Sequence, residues 1–323
     1  MPKEEEVIVS SILQIFRQII PILLTLFLGH LLRAKNFLSE KTVEEGKKLV
    51  VNITLPCILF ISFLSIEIKF SYTAIFVLVF LFCLFMIWYG RFIKERFCIE
   101  HEYFPFLVAG FEYGMLGVGL FGSAYGLEKI GYLAIIDLGH ECFIWFIFVS
   151  LLLSKRNGTQ DIKQLIRNFL KSPVIIAIFF GIFFNLTGLE KFLYDFTITE
   201  ALISTIKLLG QLTIPLILLV VGYGIHFQKG FLKDLLVLLT ARLVVLIPMV
   251  FLGAIFIDKV LGLGEMFKAA LFTLFILPPP FIIPIYIPQN YKKERLYVNN
   301  LLTSYTVISV IIFIIYFIFN PGI

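Results

Sequence analysis

Two stretches rich in helix-breaking residues decide the fold that this sequence predicts: GFEYGMLGVG at residues 110–119 and PPPFIIP at residues 278–284. Each interrupts a long apolar run. Proline removes a main-chain donor and collides with the preceding turn, while glycine favours unwinding. Because lipid cannot satisfy the freed main-chain groups, such backbone survives only against protein or a wet cavity. The alternative is a pair of packing kinks, but three consecutive prolines go beyond an ordinary kink. We therefore predict two broken membrane spans around a site near the membrane midplane.

The composition is that of a membrane protein. Of the 323 residues, 59% are hydrophobic and only 15% are charged, and the mean hydropathy is +0.98. A soluble domain carries roughly 25% charged residues, and apolar runs of about 18 residues or more can cross the hydrocarbon core. The runs predict ten spans, at residues 7–32, 46–66, 71–93, 103–124, 130–153, 173–189, 199–224, 235–257, 267–288 and 296–319.

Basic residues predict the orientation. They concentrate in alternate loops, at residues 33–48, 91–96, 155–171, 229–233 and 292–295. The side richer in Lys and Arg is expected to be cytoplasmic, which places both termini outside the cell membrane. The net charge of +5 is scattered over short loops, so it reflects topology and predicts no nucleic-acid partner.

A repeated motif divides the chain. TLPCIL at residues 54–59 and TIPLIL at residues 213–218 share the pattern T-[L/I]-P-x-I-L at the same place in each half. Five spans per half is an odd number, so the second copy must insert upside down, as in many secondary transporters. We expect a first five-helix repeat at 1–153, a cytoplasmic amphipathic helix within the linker 154–172, and a second, inverted repeat at 173–323. The predicted fold class is an all-α polytopic membrane protein.

Several motifs together resemble the auxin efflux carrier family. They are GHLLR at 29–33, LVVNITLPCILF at 49–60, KSPVIIA at 171–177, Leu209-Gly210 with Pro215 and Gly222, RLVVLIP at 242–248 and the prolines 278–280. The resemblance implies two inverted five-helix repeats whose fourth and ninth helices are broken and cross. It also implies a scaffold of helices 1, 2, 6 and 7, a moving transport domain of helices 3–5 and 8–10, and a homodimer. Family substrates are organic anions, including auxin and dicarboxylates. The family commonly has Asn where this chain has Glu112, so an uncharged ligand group is exchanged here for an ionisable one.

Ionisable residues inside spans are functional hypotheses by default. Glu112 lies in the first broken stretch, and Asp137, His140 and Glu141 share one helix face at i, i+3 and i+4. Three carboxylates near one site favour a cation, which is a proton or Na⁺. The alternatives are static ion pairs with Arg242 or His140, and direct contact with the substrate. His140 alone is more typical of a hydrogen-bonded packing residue than of a proton relay.

Three basic residues within spans are candidate charge partners or parts of an anion pocket: Arg17, Lys207 and Arg242. The alternative for each is a snorkelling side chain. Asn52 and Thr54, next to Pro56, are expected to offer neutral hydrogen bonds. The positions 163 residues after Asp137 and Glu141 are Asn300 and Ser304, two polar residues of the tenth span. The predicted transport site comprises Asn52, Thr54, Pro56, Glu112, Gly114, Gly117, Asp137, His140, Glu141, Pro279, Pro280, Asn300 and Ser304.

The predicted function is secondary active transport of a small organic anion by an elevator-like alternating-access mechanism, with proton coupling as an open possibility. The alternative is a Na⁺/H⁺ exchanger, or a Na⁺-coupled symporter of related crossover fold. We predict no enzyme and no cofactor, because His140-Glu141 begins an HExxH pattern but position 144 is Ile. The expected partners are the organic anion, H⁺ or Na⁺, membrane lipid and a second copy of the chain.

Overall fold

The computed structural model describes residues 19–157, 162–225 and 230–320, and within those ranges the chain is helical and contains no strand. We number its helices in chain order. They are α1 (Ile19–Ala34), α2 (Glu40–Ser65), α3 (Tyr72–Arg96), α4 (Phe104–Tyr125), α5 (Leu127–Arg156), α6 (Ile162–Leu170), α7 (Pro173–Thr187), α8 (Glu190–Asp195), α9 (Thr197–Gly224), α10 (Leu232–Val260), α11 (Glu265–Ile276), α12 (Ile283–Tyr286) and α13 (Lys292–Phe319).

Seven of these helices are long and apolar enough to cross a membrane, namely α2, α3, α4, α5, α9, α10 and α13. Two shorter apolar helices, α1 and α7, coincide with the first and sixth predicted spans. The ninth predicted span is divided between α11 and α12. An all-helical polytopic membrane protein is therefore confirmed for the described residues, and the count of ten spans stays a prediction. Helix α6 lies where an amphipathic helix was predicted.

Helices α2, α7 and α9 pack together and α1 packs on α9, and we call these four helices the scaffold group. The backbones of α1 and α9 touch, because a Cβ placed on Gly29 would lie 2.2 Å from the Leu219 carbonyl oxygen. Such close approach is how small residues join helices in membranes. Helix α7 is joined to the end of α2 by the Asn185 amide, which donates to the carbonyl oxygens of Phe63, Leu64 and Ile66 at 3.1, 3.0 and 2.8 Å.

The remaining long helices, α3, α4, α5, α10, α11 and α13, form a second bundle that we call the site group. Helix α4 is 94% buried over its most apolar window, more than any other candidate span among the described residues. Outward positions of α10 are apolar and exposed, with Val244, Ile247 and Phe251 at 62%, 63% and 67% exposure. A buried α4 surrounded by helices with apolar outer faces is the arrangement expected of a bundle in lipid.

The two groups meet where the second half of α4 lies on α9. A Cβ on Gly119 would stand 2.8 Å from Ile217 Cγ2, and a Cβ on Gly122 would stand 2.7 Å from Ile214 Cδ1. Both isoleucines belong to the second copy of the repeated motif. The repeat thus lies at the junction between the scaffold group and the broken helix.

Candidate transport site

The two broken stretches touch each other in the interior of the site group. Helix α4 is interrupted at residues 109–112, the first break, and residues 277–282 form the second break between α11 and α12. The Glu112 amide donates to the Pro278 carbonyl oxygen at 2.8 Å. We call the region where the two breaks meet, from residue 109 to 115 and from 277 to 282, the crossing. The structure therefore brings together the two stretches that the sequence singled out.

Local sequence explains both interruptions. Leu277 precedes a proline, which disfavours helical geometry, and it is extended at φ −60° and ψ 151°. Gly110 has φ +73°, a conformation that other residues rarely adopt. Its missing side chain also makes room, since a Cβ there would lie 2.8 Å from Pro280 Cγ. Gly117 gives similar room, because its Cβ would lie 2.7 Å from Leu277 Cδ1. Glycines in and just after the first break thus make room for side chains of the second break.

Arg242 of α10 ties the two breaks together. Its side chain is fully buried, and Nη2 donates to the Leu277 carbonyl oxygen of the second break at 2.9 Å. Nη1 donates to the carbonyl oxygens of Leu107, Val108 and Gly110, at 3.0, 3.0 and 3.1 Å, around the first break. Among the described residues no carboxylate forms an ion pair with it. Arg242 therefore binds the freed carbonyl groups rather than an acidic side chain.

The Arg242 guanidinium is further enclosed by two rings and a hydroxyl. Its Nε donates to the Tyr305 hydroxyl at 3.1 Å. The guanidinium carbon lies 5.1 Å from the Phe111 ring centroid and 5.0 Å from that of Tyr305. Rings at these distances stabilise a desolvated cation. A positive charge is thereby held at the centre of the molecule.

Glu112 also joins the two breaks, but as an acceptor of hydrogen bonds where Arg242 is a donor. Its Oε1 accepts from the Met115 amide at 3.1 Å, and its Oε2 accepts from the Phe281 amide at 2.6 Å. One amide follows the first break and the other belongs to the second. Hydrogen bonds from main-chain amides to a carboxylate are charge-assisted and strong. The Glu112 side chain is thus part of the crossing itself.

Asp137, His140 and Glu141 form an acidic cluster on α5 beside the crossing. His140 Nε2 accepts from the Phe111 amide at 2.9 Å, so the proton of a neutral ring resides on Nδ1, which contacts Asp137 Oδ1 at 2.7 Å. Glu141 Oε1 accepts from the Trp145 indole at 2.8 Å. One ligand atom from each of the three residues lies within 4.8 Å of the other two. Because both His140 nitrogens are used, the oxygens of Asp137 and Glu141 are the available cation ligands.

Several buried hydroxyls near this region have no hydrogen-bond partner among the described residues. They include Thr54 and Thr213, the first residues of the two motif copies, and Tyr113 beside the acidic cluster. The Tyr113 side chain lies close to the carboxylates of Asp137 and Glu141. Helical threonines ordinarily donate to a carbonyl of the preceding turn. Hydroxyls without such bonds are free to meet a ligand.

The other predicted site residues are more dispersed. Asn52 is exposed and donates to the Lys48 carbonyl oxygen at 2.8 Å, while Asn300 is buried and donates to that of Leu296 at 2.7 Å. Lys207 is exposed, with its ammonium 5.1 Å from the Tyr194 ring centroid, and Arg17 lies outside the described residues. The remaining members differ in burial: Pro56, Pro279, Pro280 and Gly117 are buried, and Gly114 and Ser304 are half-buried.

Sequence reasoning missed four residues at the site. Tyr305 receives the Arg242 bond, Ser309 Oγ donates to the Ile276 carbonyl oxygen at 2.6 Å, Trp145 holds Glu141, and Thr213 matches Thr54. Tyr305 and Ser309 are polar residues four apart in the tenth predicted span, which is a signal of a shared face. Thr213 was visible as the partner of Thr54 in the repeated motif. Trp145 offered no such signal.

Broken helices that contact each other inside a polytopic bundle are typical of secondary transporters. A family model described as membrane transport protein matches residues 14–317, which is nearly the whole chain. The chain therefore belongs to this family, the auxin efflux carrier family that its motifs resemble. A comparison with individually curated proteins finds no match.

Proposed function

We propose that this protein is a secondary active transporter that moves a small organic anion across the cell membrane by an elevator-like alternating-access mechanism. The single observation that carries the proposal is the crossing, in which Arg242 bonds to both breaks and Glu112, the last residue of the first break, bonds to the second. Two interrupted helices joined this way move as one unit and keep their polar groups satisfied. The proposal includes ten spans in two inverted repeats, a homodimer, and both termini outside the cell.

Movement of the site group along the scaffold group supplies the alternating access. The contacts at their junction are apolar, with Gly119 and Gly122 of α4 against Ile217 and Ile214 of α9. Apolar contacts are non-directional, so a shift of register costs less than breaking hydrogen bonds. The directional bonds, by contrast, hold the crossing inside the site group. This division supports sliding of one rigid group past the other.

An anionic substrate is supported by the buried charge of Arg242 and by family membership. The main-chain amides at the crossing and the unpartnered hydroxyls of Thr54 and Thr213 add neutral donors. A carboxylate accepts up to about four hydrogen bonds and suits such a set of donors. The organic anion is thus proposed to bind between the crossing and the motif threonines.

Cation coupling is proposed at Asp137 and Glu141, with the Tyr113 hydroxyl as a third oxygen. Glu112 is less suited to this role than the sequence suggested, because both of its oxygens accept main-chain amides. Na⁺ and protons are both compatible with two carboxylates and a hydroxyl. The cation would enter with the anion and offset its charge during passage.

Flux into proteoliposomes tests the proposal. Purified protein is reconstituted and offered radiolabelled malonate and indole-3-acetate, with imposed pH or Na⁺ gradients and with protein-free liposomes as the control. We expect saturable uptake of at least one anion, accelerated by one of the gradients. Absence of uptake for a panel of mono- and dicarboxylates under all gradients would refute organic-anion transport.

The Asp137–His140–Glu141 cluster favours one second candidate, a Na⁺/H⁺ exchanger, because two carboxylates with ligand atoms within 4.8 Å can hold a cation without an anion. The same proteoliposomes, loaded with a pH-sensitive dye, distinguish the candidates. Na⁺-driven proton movement in the absence of any organic anion would favour exchange over anion transport.

A further inference from the structure

The Glu112 carboxylate satisfies main-chain donors from two separate segments at once. The Met115 amide lies on the α4 side and the Phe281 amide lies in the second break, and each takes one oxygen, at 3.1 and 2.6 Å. Two amides converging on the two oxygens of one carboxylate is how proteins bind a free carboxylate. Here the carboxylate belongs to the chain itself.

Ionisable side chains of two helices, α10 and α5, lie around the segment that carries Glu112. Arg242 of α10 holds the Gly110 carbonyl at 3.1 Å, two residues before Glu112. His140 of α5 accepts from the Phe111 amide, next to Glu112 in the chain, at 2.9 Å, and Glu141 follows His140 on the same helix. Glu141 is engaged by Trp145 and His140 by Phe111 and Asp137. The Glu112 carboxylate is therefore the one anion seated on the amides of the crossing within the described part of the chain.

We propose that Glu112 is a tethered occupant of the position that a substrate carboxylate takes in the crossing, so that an anion binds there only after the Glu112 side chain has left. The inference rests on the proposed function and names Glu112 as a residue that determines specificity. A tethered group competes at an effective concentration in the millimolar range or above. Its charge also repels a second carboxylate at short range. Weakly binding carboxylates are thereby excluded, and only a substrate with further contacts displaces Glu112.

The test compares binding of free carboxylates to the full chain in detergent. Wild type, Glu112→Ala and Glu112→Gln are titrated with sodium acetate and sodium malonate, and thermal unfolding and calorimetry report binding. Sodium chloride at equal ionic strength is the salt control. Glu112→Ala exposes the two amides, whereas Glu112→Gln keeps a side-chain oxygen and a group of the same size over them.

We expect Glu112→Ala to bind malonate or acetate at least about tenfold more tightly than wild type, and Glu112→Gln to stay within about threefold of wild type. The inference is overturned when Glu112→Ala binds carboxylates no better than wild type. It is also overturned when Glu112→Gln gains as much as Glu112→Ala, since the gain would then come from lost charge alone.

A second variant covers the case in which Glu112→Ala does not fold. Glu112→Asp is one methylene shorter, so its carboxylate keeps the Met115 amide and leaves the Phe281 amide uncovered. We expect a smaller gain in carboxylate affinity, and no gain would contradict the inference. Because these are binding measurements, they remain readable when the flux assay shows no anion transport by wild type. Failure of the proposed function and failure of this inference are therefore distinguishable.

Discussion

At the scale of single residues, Arg242 is a buried cation that sequence reasoning considered as a partner in an ion pair. In the structure its partners are carbonyl oxygens. A buried guanidinium without a carboxylate is costly unless its donors are filled. Arg242 fills them with carbonyl oxygens that the breaks leave without helical partners. The same bonds solve two problems, because the breaks need donors and the cation needs acceptors. This pairing explains how irregular backbone persists deep inside the bundle.

Arg242→Lys tests this role. Lysine keeps the charge but lacks the planar fork, so several carbonyl groups of the two breaks lose their donor. We expect a loss of about 3 kcal/mol in stability, measured by thermal or denaturant unfolding in detergent. The matched control is Arg91→Lys at an exposed position of α3. Equal, small effects of both substitutions would show that charge alone suffices at position 242.

Thr213→Val probes a hydroxyl that has no partner among the described residues. Valine has nearly the same shape and removes a buried hydroxyl that has no partner, so we expect the free energy of unfolding to stay the same or to rise slightly. Anion uptake is expected to fall several-fold, because the substrate loses a donor. Thr273→Val is the control, since the Thr273 hydroxyl already donates to the Ala269 carbonyl at 2.7 Å. Unchanged uptake in Thr213→Val would remove this hydroxyl from the substrate path.

At the scale of elements, the two breaks depend on each other. Proline makes the second break irregular, and glycine lets the first break approach it. Neither stretch alone satisfies its main-chain groups, because the Glu112 amide needs the Pro278 carbonyl and the Phe281 amide needs the Glu112 side chain. The crossing is therefore one cooperative unit made from two helices.

Gly110→Ala separates this packing from simple backbone strain. Gly110 and Gly188 have nearly the same φ, +73° and +70°, but a Cβ at Gly110 meets Pro280 at 2.8 Å whereas a Cβ at Gly188 meets nothing within 4 Å. We expect Gly188→Ala to cost about 1 kcal/mol from its left-handed backbone. Gly110→Ala should cost about 2 kcal/mol more, because the Pro280 ring must move. Thermal unfolding of both variants measures the difference, and similar values would show that the crossing is loosely packed.

At the scale of the whole molecule, the proposed motion makes a prediction about cross-linking. The Cβ of Ile217 in the scaffold group lies 3.6 Å from the ideal Cβ of Gly119 in the site group, within disulfide range. A Gly119→Cys/Ile217→Cys disulfide is expected to abolish uptake in proteoliposomes, and reduction is expected to restore it. The native cysteines must first be replaced by alanine, at positions 57, 83, 98 and 142.

The control for this cross-link lies inside the scaffold group. Gly210→Cys/Ile58→Cys has a Cβ separation of 3.4 Å and joins α9 to α2. Because both helices belong to one group, this disulfide is expected to leave uptake unchanged. Uptake that survives the Gly119–Ile217 cross-link would argue against sliding of the site group.

Much of the fold was predictable because it follows from local rules. The length of an apolar run predicts a membrane span. The helix-breaking residues Gly110 and Pro278 to Pro280 predict where two of those spans are interrupted. The acidic cluster was also predictable, since Asp137, His140 and Glu141 share a face by helical spacing alone. The basic residues were not. Lys207 and Arg242 both lie within predicted spans, but one is exposed and the other is fully buried.

The sequence by itself determined a polytopic helical membrane protein, the places where its helices break, and its family. Only the tertiary structure decided what the polar groups at the breaks do: Arg242 binds carbonyl oxygens, and Glu112 covers amides from both breaks. The physical reason is that spans and breaks depend on a residue's neighbours in the chain. The partner of a freed amide or a buried charge, by contrast, comes from another part of the chain, as Glu112 and Phe281, 169 residues apart, show.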